Sequence, residues 1–170
     1  KIQRLDPTNP HPPVISIFLI IKVKYIVFMH KNTLSIIIPC KNEEESIIKM
    51  VTALIKAIKH INFEIVLIND FSTDKTQYII KKLSNDTKGV FSYNNINSGI
   101  GHAIELGINK SSGDFLAIMM ADSSDDPNDL IKYYNLISTQ NLDAVFGSRF
   151  TKSSQVIDYP IKKLILNRLF

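Results

Sequence analysis

The chain has 170 residues, of which 45% are hydrophobic and 21% are charged, so its composition is that of one folded domain and excludes disordered and collagen-like classes. Lys and Arg total 20 and Asp and Glu total 16, but no basic cluster with interleaved aromatic residues is present, so we expect no nucleic-acid partner. The single cysteine, Cys40, cannot form an internal disulfide, which fits a cytoplasmic protein.

Residues 1–28 differ in pattern from the rest of the chain. Residues 6–13 contain four prolines, which cannot continue a helix or a central strand. The apolar run at residues 14–29 is slightly short for a bilayer and has two lysines near its middle, which disfavours a membrane helix or a signal peptide. We therefore expect residues 1–28 to be an extension extraneous to the fold and residues 29–170 to form one domain.

From residue 34 onward, short apolar runs alternate with longer segments whose apolar residues recur at helical spacing. Strands are expected at residues 34–39, 64–70, 90–93, 115–120 and 144–147, and helices at residues 44–60, 75–83, 100–109 and 127–138. Strands this uniformly apolar are buried on both faces. The sequence therefore predicts an α/β, Rossmann-like fold with a mostly parallel sheet flanked by helices.

Polar clusters follow the predicted strands, at the sheet edge where ligands bind in α/β folds. After the first strand, Asn42 and Glu43 either hydrogen-bond a nucleoside or belong to a helix cap, with Asn42 as the N-cap. After the second, one member of the set Asp70, Ser72 and Asp74 could cap the next helix while another accepts hydrogen bonds from a base or a ribose.

The third strand is followed by the turn Asn97-Ser-Gly-Ile-Gly101, whose glycines permit a ligand to approach the backbone closely. The dinucleotide fingerprint GxGxxG is absent, so a nicotinamide cofactor is not expected. His102 is interpreted as a residue of the helix surface or of packing and not as a catalytic base.

The fourth strand precedes the densest acidic cluster, Asp122, Asp125 and Asp126. Neighbouring carboxylates repel one another unless a cation or hydrogen-bond donors offset their charge, and oxygen ligands suit Mg²⁺ or Mn²⁺. Asp126 precedes Pro127, which is the pattern of a helix N-cap followed by proline at the first helical position. This leaves Asp122 as the candidate metal ligand.

These clusters, taken in order, resemble the family 2 glycosyltransferases of GT-A fold, especially the dolichyl-phosphate and polyprenyl-phosphate sugar transferases. The resemblance covers residue 34 to about residue 168 and rests on the segments LSIIIPCKNEEES, INDFSTDKT, NINSGIGHAIELGI, SGDFLAIMMADSSDDP and FGSRF. Two departures from the family pattern stand out. Met120 replaces the usual first Asp of the Asp-x-Asp metal motif. Asn69-Asp70-Phe71 stands where Asp-Asp-Gly is common, with Asp70 retained.

The resemblance implies a role for each cluster. The nucleotide pocket would be lined by Pro39, Asn42, Glu43, Asp70 and Gly99. Asp122 would bind the Mg²⁺ or Mn²⁺ that bridges the donor diphosphate, and Arg149, together with Arg168, would hold the acceptor phosphate. Asp122 and Arg149 are thus the expected catalytic residues. Outside the family context, Arg149 would be interpreted as a surface salt bridge.

The implied reaction is inverting transfer of a sugar from GDP-mannose or a UDP-sugar to a polyprenyl or dolichyl phosphate, by a protein peripheral to the cytoplasmic face of a membrane. No convincing general base is present in the sequence, and an already ionised phosphate acceptor needs none. Three alternatives remain: a non-catalytic nucleotide-sugar-binding domain, a family 2 transferase acting on a saccharide hydroxyl, and an α/β interaction domain. We also expect the chain to be truncated at its C-terminus.

Overall fold

The computed structural model describes residues 2–5, 19–22 and 32–147. The strands of this part are β1 (Ile2–Leu5), β2 (Leu19–Lys22), β3 (Leu34–Cys40), β4 (Phe63–Asn69), β5 (Val90–Asn94), β6 (Phe115–Ile118) and β7 (Ala144–Gly147). The helices are α1 (Ile47–Ile58), α2 (Thr76–Asp86), α3 (Ile100–Lys110) and α4 (Pro127–Thr139). Every strand and helix predicted from residue 34 onward is confirmed.

The strands form one sheet in the order β1-β7-β2-β6-β3-β4-β5. Strands β6, β3, β4 and β5 are mutually parallel, while β2 runs antiparallel to both of its neighbours. Strand β3 lies between β6 and β4 and is buried along its whole length, as its run of isoleucines predicts. The expected α/β class with a mostly parallel sheet is confirmed.

Helices cover both faces of the sheet. On one face, α1 and α4 bury apolar side chains such as Leu54 and Leu130 in the main core cluster. On the other face, α3 packs closely on β3 because it presents small residues, Ala103 and Gly107, to the sheet. A Cβ added at Gly107 would lie 2.3 Å from Cγ2 of Ile37. In the described part of the chain, no helix is both long and apolar enough to cross a bilayer.

A buried hydrogen-bond network fastens the amino-terminal edge of the sheet. Ser35 Oγ donates to Oε1 of Glu64 at 2.5 Å, and the backbone and side chain of Ser112 donate to the two oxygens of the same carboxylate at 2.5 and 2.9 Å. The backbone N–H of Gly113 donates to Ser35 Oγ at 2.8 Å. Buried polar groups require such partners, and at this edge they find them within the protein. The polar loops that follow the strands lie at the opposite, carboxyl edge of the sheet.

Within residues 1–28, which we expected to lie outside the fold, the structure places the described residues 2–5 and 19–22 in the sheet as β1 and β2. The short strand β2 fills the position between β6 and β7, where Ile20 pairs with Ala117 on one side and Val145 on the other. Ile20 is fully buried in the main core cluster. The local pattern showed an isolated apolar run, but its partners lie about a hundred residues away in sequence, and no periodicity indicates such a pairing.

We predict that Ile20→Ala lowers the free energy of unfolding by about 2–5 kcal/mol, because it leaves a cavity between β6 and β7. Lys22→Ala in the same strand is the matched control, since the Lys22 side chain is exposed and bonds Asn141 at the surface, and its cost should stay within about 0.5 kcal/mol. Urea denaturation of both variants measures the difference. Equal stability of the two variants would show that β2 does not contribute to the core.

Candidate functional site

The loop after β4 is held by a buried carboxylate. Asp70, only 4% exposed, accepts hydrogen bonds from the backbone N–H of Gly99 at 2.9 and 3.1 Å and from Nδ2 of Asn95 at 2.8 Å. Gly99 has a φ of +128°, a backbone conformation that L side chains rarely adopt. The carboxylate therefore fixes the turn that opens α3 against the end of β4.

Asparagine side chains join the ends of β4 and β5. Asn69 Nδ2 donates to Oδ1 of Asn94 at 3.1 Å, and Oδ1 of Asn69 accepts from the backbone N–H of Ser72 at 3.2 Å. The backbone N–H of Asn95 donates to the carbonyl of Asn69 at 2.9 Å. Sequence reasoning missed Asn69, Asn94 and Asn95 as site-forming residues, although their position at the ends of adjacent strands was a usable signal.

The loops after β3 and β4 are bonded directly to each other. Asn42 donates its backbone N–H to Ser72 Oγ at 3.1 Å, and its Oδ1 accepts from the backbone N–H of Thr73 at 2.8 Å. Glu43 likewise donates its backbone N–H to Thr76 Oγ1 at 2.7 Å. The interpretation of Asn42 as a helix N-cap is wrong, because α1 begins at Ile47 and the amide is used across the loops instead.

Asp74 completes the contact between these loops and bonds the first residue of α2. Its Oδ1 accepts from the backbone N–H of Thr76 at 2.9 Å, and its Oδ2 from the backbone N–H of Glu44 at 3.2 Å. Partial desolvation opposes ionisation, but these bonds outweigh it and lower the pKa of Asp74. Because the folded-state pKa is lowered, the stabilisation is present above the unfolded-state pKa and is lost as the pH falls through the folded value.

An open cleft of about 460 Å³ lies where the loops after β3, β4 and β6 meet. Its wall is formed by Asn42, Glu43, Glu44, Glu45, Ser46, Asp74 and Asp122. The structure thus brings together Asn42, Glu43 and Asp122, three of the residues that the sequence indicated. Glu44, Glu45 and Ser46 were missed as wall residues, although the run of three glutamates was visible.

The charged residues that line the cleft are all acidic. Five carboxylates line the wall, and the described residues of the wall include no Lys or Arg. An anionic ligand such as a diphosphate would be repelled from this surface unless a cation accompanied it. The cleft therefore suits a ligand that arrives with a divalent metal ion.

The loop after β6 separates three aspartates into three environments. Asp122 is exposed, and its Oδ1 accepts from the backbone N–H of Ser124 at 2.9 Å. Asp125 is buried, and its carboxylate accepts from the backbone N–H of Met120 at 2.6 Å. Asp126 accepts from the backbone N–H of Asn128 at 2.9 Å, which confirms the predicted N-cap of α4.

Within the described residues, no group of three or more His, Cys, Asp or Glu side chains is arranged to hold a metal ion. The exposed carboxylate of Asp122 in the cleft wall nevertheless fits a Mg²⁺ or Mn²⁺ ion that takes one protein ligand and completes its shell with phosphate oxygens and water. The side chain of Met120 contains no oxygen atom, so it offers no ligand of the kind that Mg²⁺ and Mn²⁺ prefer.

Other predicted site residues have different surroundings. Pro39 is buried in β3 and lies beyond the last residue of β3 that pairs with β6. Its missing N–H therefore removes no hydrogen bond from the pairing of β3 with β6. Pro39 does not line the cleft. His102 is exposed on α3, 3.8 Å from Glu105, which confirms its interpretation as a helix-surface residue. Arg149 and Arg168 lie outside the described residues.

The only cysteine of the chain is buried at the end of β3, next to the cleft loop. Burial, and secondarily the charge of Glu43, raise the pKa of Cys40 to about 12. Because the thiolate is the reactive species, this side chain belongs to the core and is chemically inert.

We predict that Cys40 in the native protein reacts with a disulfide reagent at pH 8 at least about a thousand times more slowly than in urea, because little thiolate forms and access is closed. Absorbance of the released thiolate measures the rate. Rapid labelling of the folded protein would contradict the burial of this strand end.

The sheet, the covering helices and the acidic cleft define an α/β domain whose polar loops gather at the carboxyl edge, where ligands bind in such folds. The sequence model of the family described as "Glycosyl transferase family 2" matches residues 35–169, and the chain belongs to this family.

Curated relatives include proteins named as dolichol-phosphate and dolichyl-phosphate sugar transferases. The chain is 28% identical over 134 residues to a dolichol-phosphate mannosyltransferase of Pyrococcus furiosus, covering 79% of this chain and 38% of the relative. It is 29% identical over 144 residues to a dolichyl-phosphate beta-glucosyltransferase of Trichomonas vaginalis, covering 78% of this chain and 44% of the relative. The chain thus spans less than half the length of these relatives.

Solved structures share the fold. TarS of S. aureus in complex with UDP superposes with a TM-score of 0.54 at 23% identity, covering 64% of this chain and 33% of that one. Glucosyl-3-phosphoglycerate synthase of Mycobacterium tuberculosis, in complex with Mn²⁺, UDP-glucose and phosphoglyceric acid, gives a TM-score of 0.51 at 20% identity, covering 64% and 40% of the two chains. The chain has the GT-A fold of these glycosyltransferases.

Proposed function

We propose that the chain is the donor-binding part of an inverting glycosyltransferase that moves a sugar from GDP-mannose or a UDP-sugar to a polyprenyl or dolichyl phosphate. The relatives named for dolichol-phosphate and dolichyl-phosphate substrates support this acceptor class. The observation that carries the proposal is the acidic cleft at the carboxyl edge of the sheet, bounded by loops that are bonded to one another.

The nucleotide would lie along these loops. Asn42 and Glu43 are in the cleft wall, and Asp70 and Gly99 fix the adjacent turn at the start of α3. The N-terminal end of a helix carries unpaired backbone N–H groups and favours a phosphate. Pro39 would support this pocket from inside β3 as a buried residue and without a side-chain contact in the cleft.

Asp122 would hold the Mg²⁺ or Mn²⁺ ion. When bound, that ion supplies positive charge against the five carboxylates of the wall and against the charge that grows on the departing diphosphate. The neighbouring carboxylate of Asp125 accepts a backbone bond from Met120 and so keeps the metal-bearing loop in place.

The acceptor side of the reaction is assigned to Arg149 and Arg168, whose guanidinium groups suit bidentate binding of a phosphate. A lipid phosphate is ionised at neutral pH and attacks without a general base, unlike a saccharide hydroxyl. Such an acceptor would place the protein at the cytoplasmic face of a membrane as a peripheral protein.

One observation favours a second candidate, a non-catalytic nucleotide-sugar-binding domain. Met120 follows β6 by two residues, where the family commonly has an acidic residue, and its backbone N–H donates to Asp125. A domain of this kind would bind the nucleotide without transferring the sugar.

We predict that Mn²⁺ strengthens the binding of GDP or UDP by about 5-fold to 150-fold in the parent protein, because metal and diphosphate share a coordination shell at Asp122. Asp122→Asn should abolish this coupling. Asp126→Asn is the matched control, because asparagine also caps helices well and the acidic cleft remains intact. Isothermal titration calorimetry with and without Mn²⁺ measures each affinity.

Nucleotide affinity that is indifferent to Mn²⁺ in the parent protein would contradict the metal-dependent site. Metal-coupled binding without donor hydrolysis or transfer would favour the non-catalytic candidate. Absence of any nucleotide binding would favour the interpretation as an α/β interaction domain.

A further inference from the structure

Phe71 has a backbone conformation that its side chain disfavours. It follows Asp70 in the loop after β4, and its φ is +56°, in the left-handed region. Glycine occupies this region freely and asparagine tolerates it, but a bulky aromatic residue there is an outlier, and such outliers concentrate at functional sites.

Contacts on both sides hold Phe71 in this conformation. The backbone N–H of Asp70 donates to the carbonyl of Cys40 at 2.8 Å. Ser72 donates its backbone N–H to Asn69 at 3.2 Å, and its hydroxyl accepts from the backbone N–H of Asn42 at 3.1 Å. These are the same contacts that assemble the cleft loops, so the turn cannot relax without disturbing the site.

The strained backbone of this turn does not serve to bury the Phe71 side chain. Phe71 is 51% exposed and takes no part in the core clusters of the described residues. Tyr78 and Phe91 are also exposed aromatic residues, but they lie in α2 and in the edge strand β5. Phe71 is the exposed aromatic of the described chain that stands in a loop at the carboxyl edge.

We propose that the ring of Phe71 is a stacking platform for the nucleobase of the donor and so sets how tightly this chain holds a nucleoside. This inference rests on the proposed function and gives a role to a residue that departs from the family pattern. Stacking on an aromatic ring accepts any base, because every base has a π face.

The surroundings favour a base over an acyl chain of the acceptor. Two amide side chains that are not buried, those of Asn42 and Asn95, belong to residues bonded to Ser72 and Asp70, the neighbours of Phe71. A lipid chain at this position would desolvate these polar groups without offering them hydrogen bonds. A nucleobase combines an apolar face for the ring with a polar edge for the amides.

The test uses calorimetry of UDP, GDP and inorganic pyrophosphate in the presence of Mn²⁺. Phe71→Gly should weaken UDP and GDP binding by about 5-fold to 100-fold, while pyrophosphate, which has no base, binds as before. Phe71→Tyr should keep the parent affinities. Tyr78→Ala, which removes an exposed aromatic from α2, is the control and should leave all three affinities unchanged.

Thermal unfolding separates stacking from support of the loop. Phe71→Gly relieves the unfavourable φ, so its Tm should be unchanged or raised even as nucleotide binding weakens. A lowered Tm together with an equal loss of pyrophosphate binding would overturn the proposal, since it would show that the ring supports the fold.

Three further results would also overturn it. The first is parent-like UDP and GDP affinity in Phe71→Gly. The second is affinity in Phe71→Leu equal to that of Phe71→Tyr, which would assign the effect to apolar bulk and not to the ring. The third is intact nucleotide binding with lost binding to phosphatidylcholine vesicles that contain dolichyl phosphate, which would assign the ring to the acceptor. Failure of the parent protein to bind either nucleotide would instead overturn the proposed function, and this inference with it.

Discussion

The geometry of the site depends on the buried carboxylate of Asp70. Burying a charged group is costly unless donors replace its water, and here the backbone N–H of Gly99 and the amide of Asn95 do so. The bond ties the end of β4 to the start of α3, while the backbone of Asp70 is bonded to the end of β3. One residue, through its side chain and its backbone, thus fixes three neighbouring segments at the carboxyl edge of the sheet.

The sequence predicted the α/β elements because the apolar runs and helical spacings are local and strong. It also predicted which edge carries the polar loops and that Asp126 caps α4, since both follow from chain order and capping chemistry. It could not predict β2, whose pairing with β6 and β7 is long-range, or that Asn42 bonds the neighbouring loop in place of capping a helix. Contacts between loops leave no pattern in the local sequence. The hydrogen bond from Gly99 to Asp70 is such a contact.

The cleft carries a concentration of negative charge. Loops held together through backbone N–H groups leave the carboxylates of Glu43, Asp74 and Asp122 gathered around one volume. Their mutual repulsion is a cost to the fold that a bound divalent cation would offset. The same arrangement that would reject a free anion would accept an anion paired with a metal ion, which is the form in which nucleotide donors are commonly bound by proteins.

Hydrogen–deuterium exchange tests the central claim that the carboxyl-edge loops form the donor site. With saturating GDP or UDP and Mn²⁺, exchange should slow in residues 40–46, 69–76, 95–101 and 119–126, and stay unchanged at the amino-terminal edge in residues 62–64 and 111–114. Protection confined to the amino-terminal edge, or no protection at the carboxyl-edge loops under saturating ligand, would contradict the account.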